Sequence, residues 1–186
     1  LAPDDDASRL WRESFIRTFL ERDLRLYGIE TAPAALGRFW TMLAHYHGQL
    51  WNGSDIGRSL NASHTTMRRH LDILTGAFML RQLQPFHENL SKRQVKSPKV
   101  YIRDSGLFHS LMRIDSMAAL EAHPKLGASW EGFVIGQLIA QLGAEPEECH
   151  FWATHSGAEL DLLVVRGAVR RGFEIKRTSA PAVTPS

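Results

Sequence analysis

The segment from Glu159 to Lys176 constrains the fold more than any other stretch, because charged and apolar residues alternate on both sides of a single Gly-Ala step. A two-residue turn at Gly167 and Ala168, with glycine first as a type II′ hairpin requires, pairs Arg166 with Val169. Continued back along both strands, that register sets Asp161 opposite Glu174 and Glu159 opposite Lys176. Period-two alternation sends those four side chains to one face and Leu160, Leu162, Phe173 and Ile175 to the other, a core-forming surface. The predicted strands run near 159 to 165 and 169 to 176. A slip of one residue would exchange the two faces, so the register is strongly specified.

Carboxylates at directly opposed strand positions carry Cβ atoms about 5 Å apart, near enough to share a magnesium ion through oxygen ligands. A lysine two residues further on can steady an attacking water or the charge that develops on a phosphate. Divalent metal, carboxylates and lysine together are the equipment of phosphodiester hydrolysis. The plainer alternative is cross-strand pairing of Glu159 with Lys176 and a solvated Asp161 at the sheet edge. Upstream, Trp130, Phe133, Val134, Leu138 and Leu142 recur at helical spacing, with Ser129 as the expected cap and Glu131 in the first turn, where a carboxylate suits the helix dipole. Cys149 to Trp152 reads as a short strand.

The first half of the chain is helical in pattern. Residues 1–30 form an N-terminal helical segment, with Leu10, Phe15, Phe19, Leu20, Leu24 and Leu26 spaced as on an amphipathic helix. A second pattern, from Thr31 to Gly48, runs through Leu36, Phe39, Trp40, Leu43 and Ala44 behind Pro33. Ser54 is the expected cap of a short helix carrying Ile56 and Leu60. A polar turn, Asn61 to Ser63, then leads into a longer helix from His64 to Leu74. On that helix Met67, Leu71 and Leu74 share one side, while Thr65, Arg68, Arg69 and Asp72 project from the other. Phe78, Leu80 and Leu83 then read as a strand, Val100 to Ile102 as its return, and the loop between carries Lys92, Arg93, Lys96 and Lys99. This is the arrangement of a winged helix over 31–113, whose second helix can enter a major groove and whose basic wing can follow phosphates. The same pattern also serves to pack helices against a protein partner.

Composition narrows the partners only slightly. A net charge of +2, from 22 basic and 20 acidic residues, is too small to indicate nucleic acid without local clustering. Cys149 is the only cysteine, which excludes an intrachain disulfide and fits a reducing compartment, so a cytoplasmic location is expected. The longest apolar stretch, Phe133 to Leu142, is interrupted by Gln137 and Gln141 and is far short of the roughly 20 residues of a membrane span. No G-x-x-x-x-G-K-[ST] loop occurs in the sequence. A first residue of Leu1, without a leader pattern behind it, suggests a piece of a longer protein.

Asp161 followed by Glu174-Ile175-Lys176, behind a helix that carries Glu131, resembles the PD-(D/E)xK restriction-endonuclease-like superfamily. More narrowly, RDL at 22–24, TTMRRHLDIL at 65–74, PKVYIRDSGL at 98–107 and SWEGFVIGQL at 129–138, with ELDLLV and FEIKRTSAP, resemble the C-terminal region of unknown function of prokaryotic AAA+-type ATPases. The resemblance implies an α+β protein: a helical and winged-helix module, then a partial nuclease-like α/β module over 125–186. The superfamily core continues with a second helix and a last strand, whereas this chain stops ten residues after Lys176. By that resemblance Asp161 and Glu174 are metal ligands, Lys176 is the catalytic lysine and Glu131 closes the pocket from the helix. Thr65, Arg68, Arg69, Lys92, Arg93, Lys96 and Lys99 are the nucleic-acid-binding candidates. Magnesium is the implied cofactor, and ATP would bind only through a domain absent from these residues. DNA and an ATPase domain of the same protein are the expected partners, and the reading accommodates an oligomer. The competing expectation is a non-catalytic assembly module of the same ATPase with a vestigial nuclease fold.

Overall fold

Apolar residues recurring every three to four positions make the first third of the chain a helical layer, and the computed structural model, which describes residues 4–87, 96–154 and 158–178, shows how it closes. Helix α1 (Asp5–Thr18) is capped by the Asp4 carboxylate, which accepts from the Ala7 amide at 2.7 Å. It runs into a π-helical turn at Phe19–Asp23 and the short α2 (Leu24–Leu26). The wider turn rotates the apolar face. Phe19 and Leu24 are thereby buried, whereas Leu10 and Leu26, expected on the same stripe, stay exposed. Helix α3 (Pro33–His45) starts on a proline that needs no amide partner, and it buries Leu36, Phe39, Trp40, Leu43 and Ala44 as their spacing predicts.

Helix α4 (Gly53–Leu60) is capped by Asn52, whose side chain accepts from the Asp55 amide at 3.2 Å. Ser54, the expected cap, falls inside the first turn. The chain then turns through Asn61 in the left-handed region, and Ser63 caps α5 (His64–Gly76) by accepting from the Thr66 amide at 3.1 Å. Met67, Leu71 and Leu74 of α5 are buried, and Thr65, Arg68, Arg69 and Asp72 are exposed, as the stripe predicts. Phe78, expected to open a strand, instead sits in a turn with φ +61, and strand β2 begins at Leu80. After the two-residue β1 (Gln49–Leu50), β2 (Leu80–Pro85) and β3 (Lys99–Ile102) form an antiparallel pair in register from Leu80 with Ile102 to Leu83 with Lys99. Lys99 therefore belongs to a strand and is buried, not part of a solvated wing. Lys96 is exposed, and Lys92 and Arg93 lie outside the described residues.

The second half adds α6 (Ser105–Leu111), α7 (Met117–Glu121), α8 (Leu126–Leu142) and strands β4 (Cys149–Ala153), β5 (Glu159–Arg166) and β6 (Val169–Phe173). Helix α8 starts three residues before Ser129, so that serine is not its cap; it is buried, with its Oγ 2.8 Å from His109 Nε2. The buried positions are Ser129, Gly132 and Ile135, while Trp130 and Phe133, expected inside, are exposed. Small side chains face inward because α8 lies against His47 and Tyr101: a Cβ on Gly132 would collide with the His47 ring.

The hairpin turns at Gly167, with φ +57, and pairs Arg166 with Val169 through Leu162 with Phe173, the predicted register. Strand β6 stops at Phe173, short of the expected Lys176, because Asp161 Oδ2 takes the Ile175 amide at 2.7 Å in place of a ladder bond. The sheet order is β1-β3-β2-β4-β5-β6. Strand β2 pairs antiparallel with β3 and parallel with β4, Gln84 with His150 and Pro85 with Phe151, so one sheet runs through both of the expected modules, 31–113 and 125–186. One apolar core lies among α3, α5 and the N-terminal helices. The other gathers Leu83, Tyr101, Ile135, Phe151, Leu162 and Val164 between α8 and the sheet. The architecture is mixed α+β. Among the described residues, no helix is long and apolar enough to cross a membrane.

Candidate functional site

The start of β3, the inner face of α8 and the first residues of β5 meet around one ammonium group. Lys99 Nζ lies 3.3 Å from Glu131 Oε1, in direct contact with Glu159 Oε1, and 4.0 Å from Asp161 Oδ1. It also stands 5.7 Å from the centre of the Phe151 ring. Burial works against this ammonium, yet the surrounding carboxylates outweigh it and hold the Lys99 pKa above its ordinary value. Lys99 is therefore charged.

Each carboxylate has a distinct set of partners. Glu131 accepts from the Tyr101 hydroxyl at 2.5 Å as well as from Lys99. Burial, reinforced by Glu131, pushes the Tyr101 phenol up, so it remains a donor. Asp161 is 9% exposed; burial raises its carboxyl to about 6, opposed by the Ile175 amide and Lys99 and aided by Glu131 and Glu174. Glu159 answers to Lys99 rather than to Lys176, because the ladder ends before those two positions can oppose each other. Glu174 pairs with Lys176 at 3.4 Å, and both are exposed.

Glu131, Glu159, Asp161 and Lys99 line an open cleft of about 930 Å³. The segment around β1, which pairs with β3 beside Lys99, the start of α4 at Asn52 and Ser54, and His64 at the start of α5 also line it. Glu174 and Lys176 do not line it. Of the four residues expected to form a nuclease-like tetrad, the cleft thus brings together Glu131 and Asp161. Glu174 and Lys176 stand just beyond, on the segment that the Asp161–Ile175 bond ties down.

The residues as placed do not fit a magnesium ion. Such an ion needs oxygens at 2.0–2.1 Å in near-octahedral geometry. Here the converging carboxylates already surround an ammonium, and Glu174 is paired with Lys176. Among the described residues, no group of three or more His, Cys, Asp or Glu side chains could hold a metal ion.

Of the nucleic-acid candidates, Thr65, Arg68, Arg69 and Lys96 are exposed, and Arg68 shares an i,i+4 ion pair of 3.2 Å with Asp72. Lys99 joins the carboxylates instead. Sequence reasoning missed this role and that of Tyr101. The available signal was the Lys-x-Tyr spacing of β3, which sends both side chains to one face. The contact to Glu131 depends on the depth of α8, which sequence spacing leaves open.

The domain of unknown function DUF8612 matches residues 1–118, and the domain of unknown function DUF4143 matches residues 126–184. The "Uncharacterized protein Mb2031c" of Mycobacterium bovis and the "Uncharacterized protein Rv2008c" of Mycobacterium tuberculosis are each 52% identical to this chain over 185 residues, 100% of its length. The chain spans 42% of the length of each relative. No solved structure matches it. With more than half of its residues covered by that model, the chain belongs to the DUF8612 family, and it continues into a DUF4143 segment that carries β4, β5 and β6.

Proposed function

We propose that the chain is the DNA-associated C-terminal portion of a larger AAA+-type ATPase, in which a winged helix brings duplex DNA to a nuclease-like cleft. The observation that carries this reading is the shared cleft: the start of α5, the recognition-helix candidate, lines the same opening as Glu131, Glu159 and Asp161. Thr65, Arg68 and Arg69 lie exposed on α5, as residues that meet a groove and its phosphates must be. The order α4, α5, β2, β3 is that of a winged helix, and α8 followed by the β5–β6 hairpin keeps the order of a nuclease-like core. DUF4143 segments are usually linked to AAA-type ATPases, which supports the ATPase context, as does the greater length of the relatives.

Hydrolysis by this site requires rearrangement, since the carboxylates as placed do not fit magnesium. The second reading, an assembly module with a vestigial nuclease fold, is favoured by one observation: Lys99 of the DUF8612 segment is tied to three carboxylates of the DUF4143 segment. The test uses full-length protein with linear and supercoiled DNA, with and without Mg²⁺ or Mn²⁺. Cutting that needs the divalent ion and disappears in Asp161→Asn is the expected result for a competent nuclease site. Equal behaviour of wild type and Asp161→Asn, with DNA binding retained, confines the function to DNA association. Absence of DNA binding overturns the proposal in favour of assembly.

A further inference from the structure

The N-terminal helices and the end of α5 enclose a second cleft, of about 570 Å³, that shares no lining residue with the first. Phe15, Tyr27, Ile73, Phe78 and Met79 line it, an apolar surface of the size that receives a ligand or an inserted side chain. Stacked rings lead into it along α1: Trp11 lies 5.4 Å from Phe15 and Phe15 5.9 Å from Phe19, centre to centre. Trp11, Tyr27 and Phe78 are all exposed. Phe78 is held there against its own backbone preference. It follows the cap of α5 at φ +61, with its amide on the Thr75 carbonyl and the Met79 amide on that of Leu74. Glycine is the usual residue in that place, because a side chain there is strained. The ring is nonetheless 71% exposed, with the Arg103 guanidinium 5.4 Å from its centre. Burial within this chain does not offset the strain, whereas a surface that covers the ring does.

The lining also says what kind of surface that is. Among the described residues around the cleft the charged ones are Asp23 and Asp72, both acidic. Each pairs with a nearby arginine, Arg22 at 2.9 Å and Arg68 at 3.2 Å, in contacts open to water and therefore weak and exchangeable. An apolar segment with a basic side chain suits these walls, its stem packing on the rings and its head reaching a carboxylate. More than half the length of each relative lies outside the region this chain matches, so in a protein of that plan a covering segment is tethered nearby at high effective concentration. We propose that this cleft is a docking site for an apolar, lysine- or arginine-bearing segment of the longer protein, from outside these residues. The proposal rests on the functional reading only in taking the chain as part of a longer protein, and neither DNA nor the Glu131–Asp161 cleft enters its readout.

The experiment places the photo-crosslinker p-benzoylphenylalanine at Tyr27 of the full-length protein, prepared as a mixture of ¹⁴N and ¹⁵N copies so that links within one chain are told from links between copies. The expected product joins this position to a peptide of the same chain outside these residues. Phe78→Gly, which removes the ring and relieves the backbone, is expected to lower the yield by about fivefold or more, the effect of losing an interface anchor, while leaving the circular dichroism spectrum unchanged. Asp23→Asn combined with Asp72→Asn is expected to lower it by about twofold or more, as loss of partly exposed ion pairs does. Should Phe78→Gly not fold, Phe78→Asn, also at home at that φ, takes its place. An undiminished yield in either variant overturns the proposal, as do links confined to these residues, links found only between copies, or no link at all. Each of those results leaves the DNA reading standing, and absence of DNA binding leaves the docking site standing.

Discussion

His47 shows what burial does to a titratable side chain that has no charged partner of opposite sign. It is 2% exposed, packed edge-on against Tyr101 and tilted over Phe108, and its Nδ1 accepts from the Ile102 amide at 3.1 Å. Burial, with Lys125 adding to it, lowers its pKa to about 3. Because that folded value lies below the unfolded one of about 6.5, the unfolded chain binds the extra proton between those limits. The stabilisation is therefore complete above about pH 6.5 and is lost as pH falls toward 3, up to about 5 kcal/mol in all. His70, His109 and His150 are shifted down as well, mainly by burial, and steepen the same acid limb. His47→Asn, which keeps an acceptor near Ile102, is expected to be less stable at pH 7 but to lose less on going from pH 7 to 4.5. Urea midpoints at the two pH values measure this, and equal losses in both proteins would show that His47 does not titrate as its burial requires.

Elements in this molecule are placed by close backbone approaches as much as by apolar stripes. At the turn between α4 and α5, a Cβ on Gly57 would lie 2.6 Å from the Ala62 carbonyl oxygen, a backbone atom that cannot swing aside. Gly57→Ala should therefore cost about 1–3 kcal/mol, the usual range for overpacking. Gly76→Ala, at the open end of α5, meets nothing within 4 Å and should be neutral or stabilising by up to about 1 kcal/mol. Thermal unfolding of the two variants side by side checks the contrast, and an equally tolerated Gly57→Ala would mean that the turn yields more readily than so close an approach implies. The same distinction explains what could be read from residues alone. The faces of α3 and α5 were legible because large apolar side chains sit on one stripe of each. The face of α8 was not, since Ser129 and Gly132 face inward so that the helix can approach His47 and Tyr101, leaving Trp130 and Phe133 outside. The hairpin register was legible from its Gly-Ala turn and alternation. Its end was not, because a side chain, Asp161, replaces the next rung of the ladder.

At the scale of the whole molecule, β2 joins what two family models treat separately: it pairs with β3 of the same segment and with β4 of the next, and Lys99 adds ion pairs across the same junction. The two segments should consequently unfold together, with circular dichroism and tryptophan fluorescence tracing one coincident urea transition for this chain, and two resolved transitions would show the junction to be weak. Half of the expected site, Glu131 with Asp161, was legible because each stands on a regular element. The cation between them was not, since it comes from a strand about thirty residues earlier in sequence than the helix it touches. Long-range pairing of that kind also bears on DNA. The net charge of +2 gives little general attraction, so any affinity must come from local groups such as Arg68 and Arg69 on α5. Each cation that neutralises a phosphate adds about 0.9 to the steepness with which log affinity falls against log salt. If both arginines meet phosphates, Arg68→Ala with Arg69→Ala should flatten that slope by about 1.8 and weaken binding on every sequence alike. Arg68 is partly engaged by Asp72, so Asp72→Asn should in contrast strengthen binding by freeing that guanidinium. Salt titrations by fluorescence anisotropy measure all three proteins, and a slope unchanged in the double variant would assign this face of α5 to a protein partner.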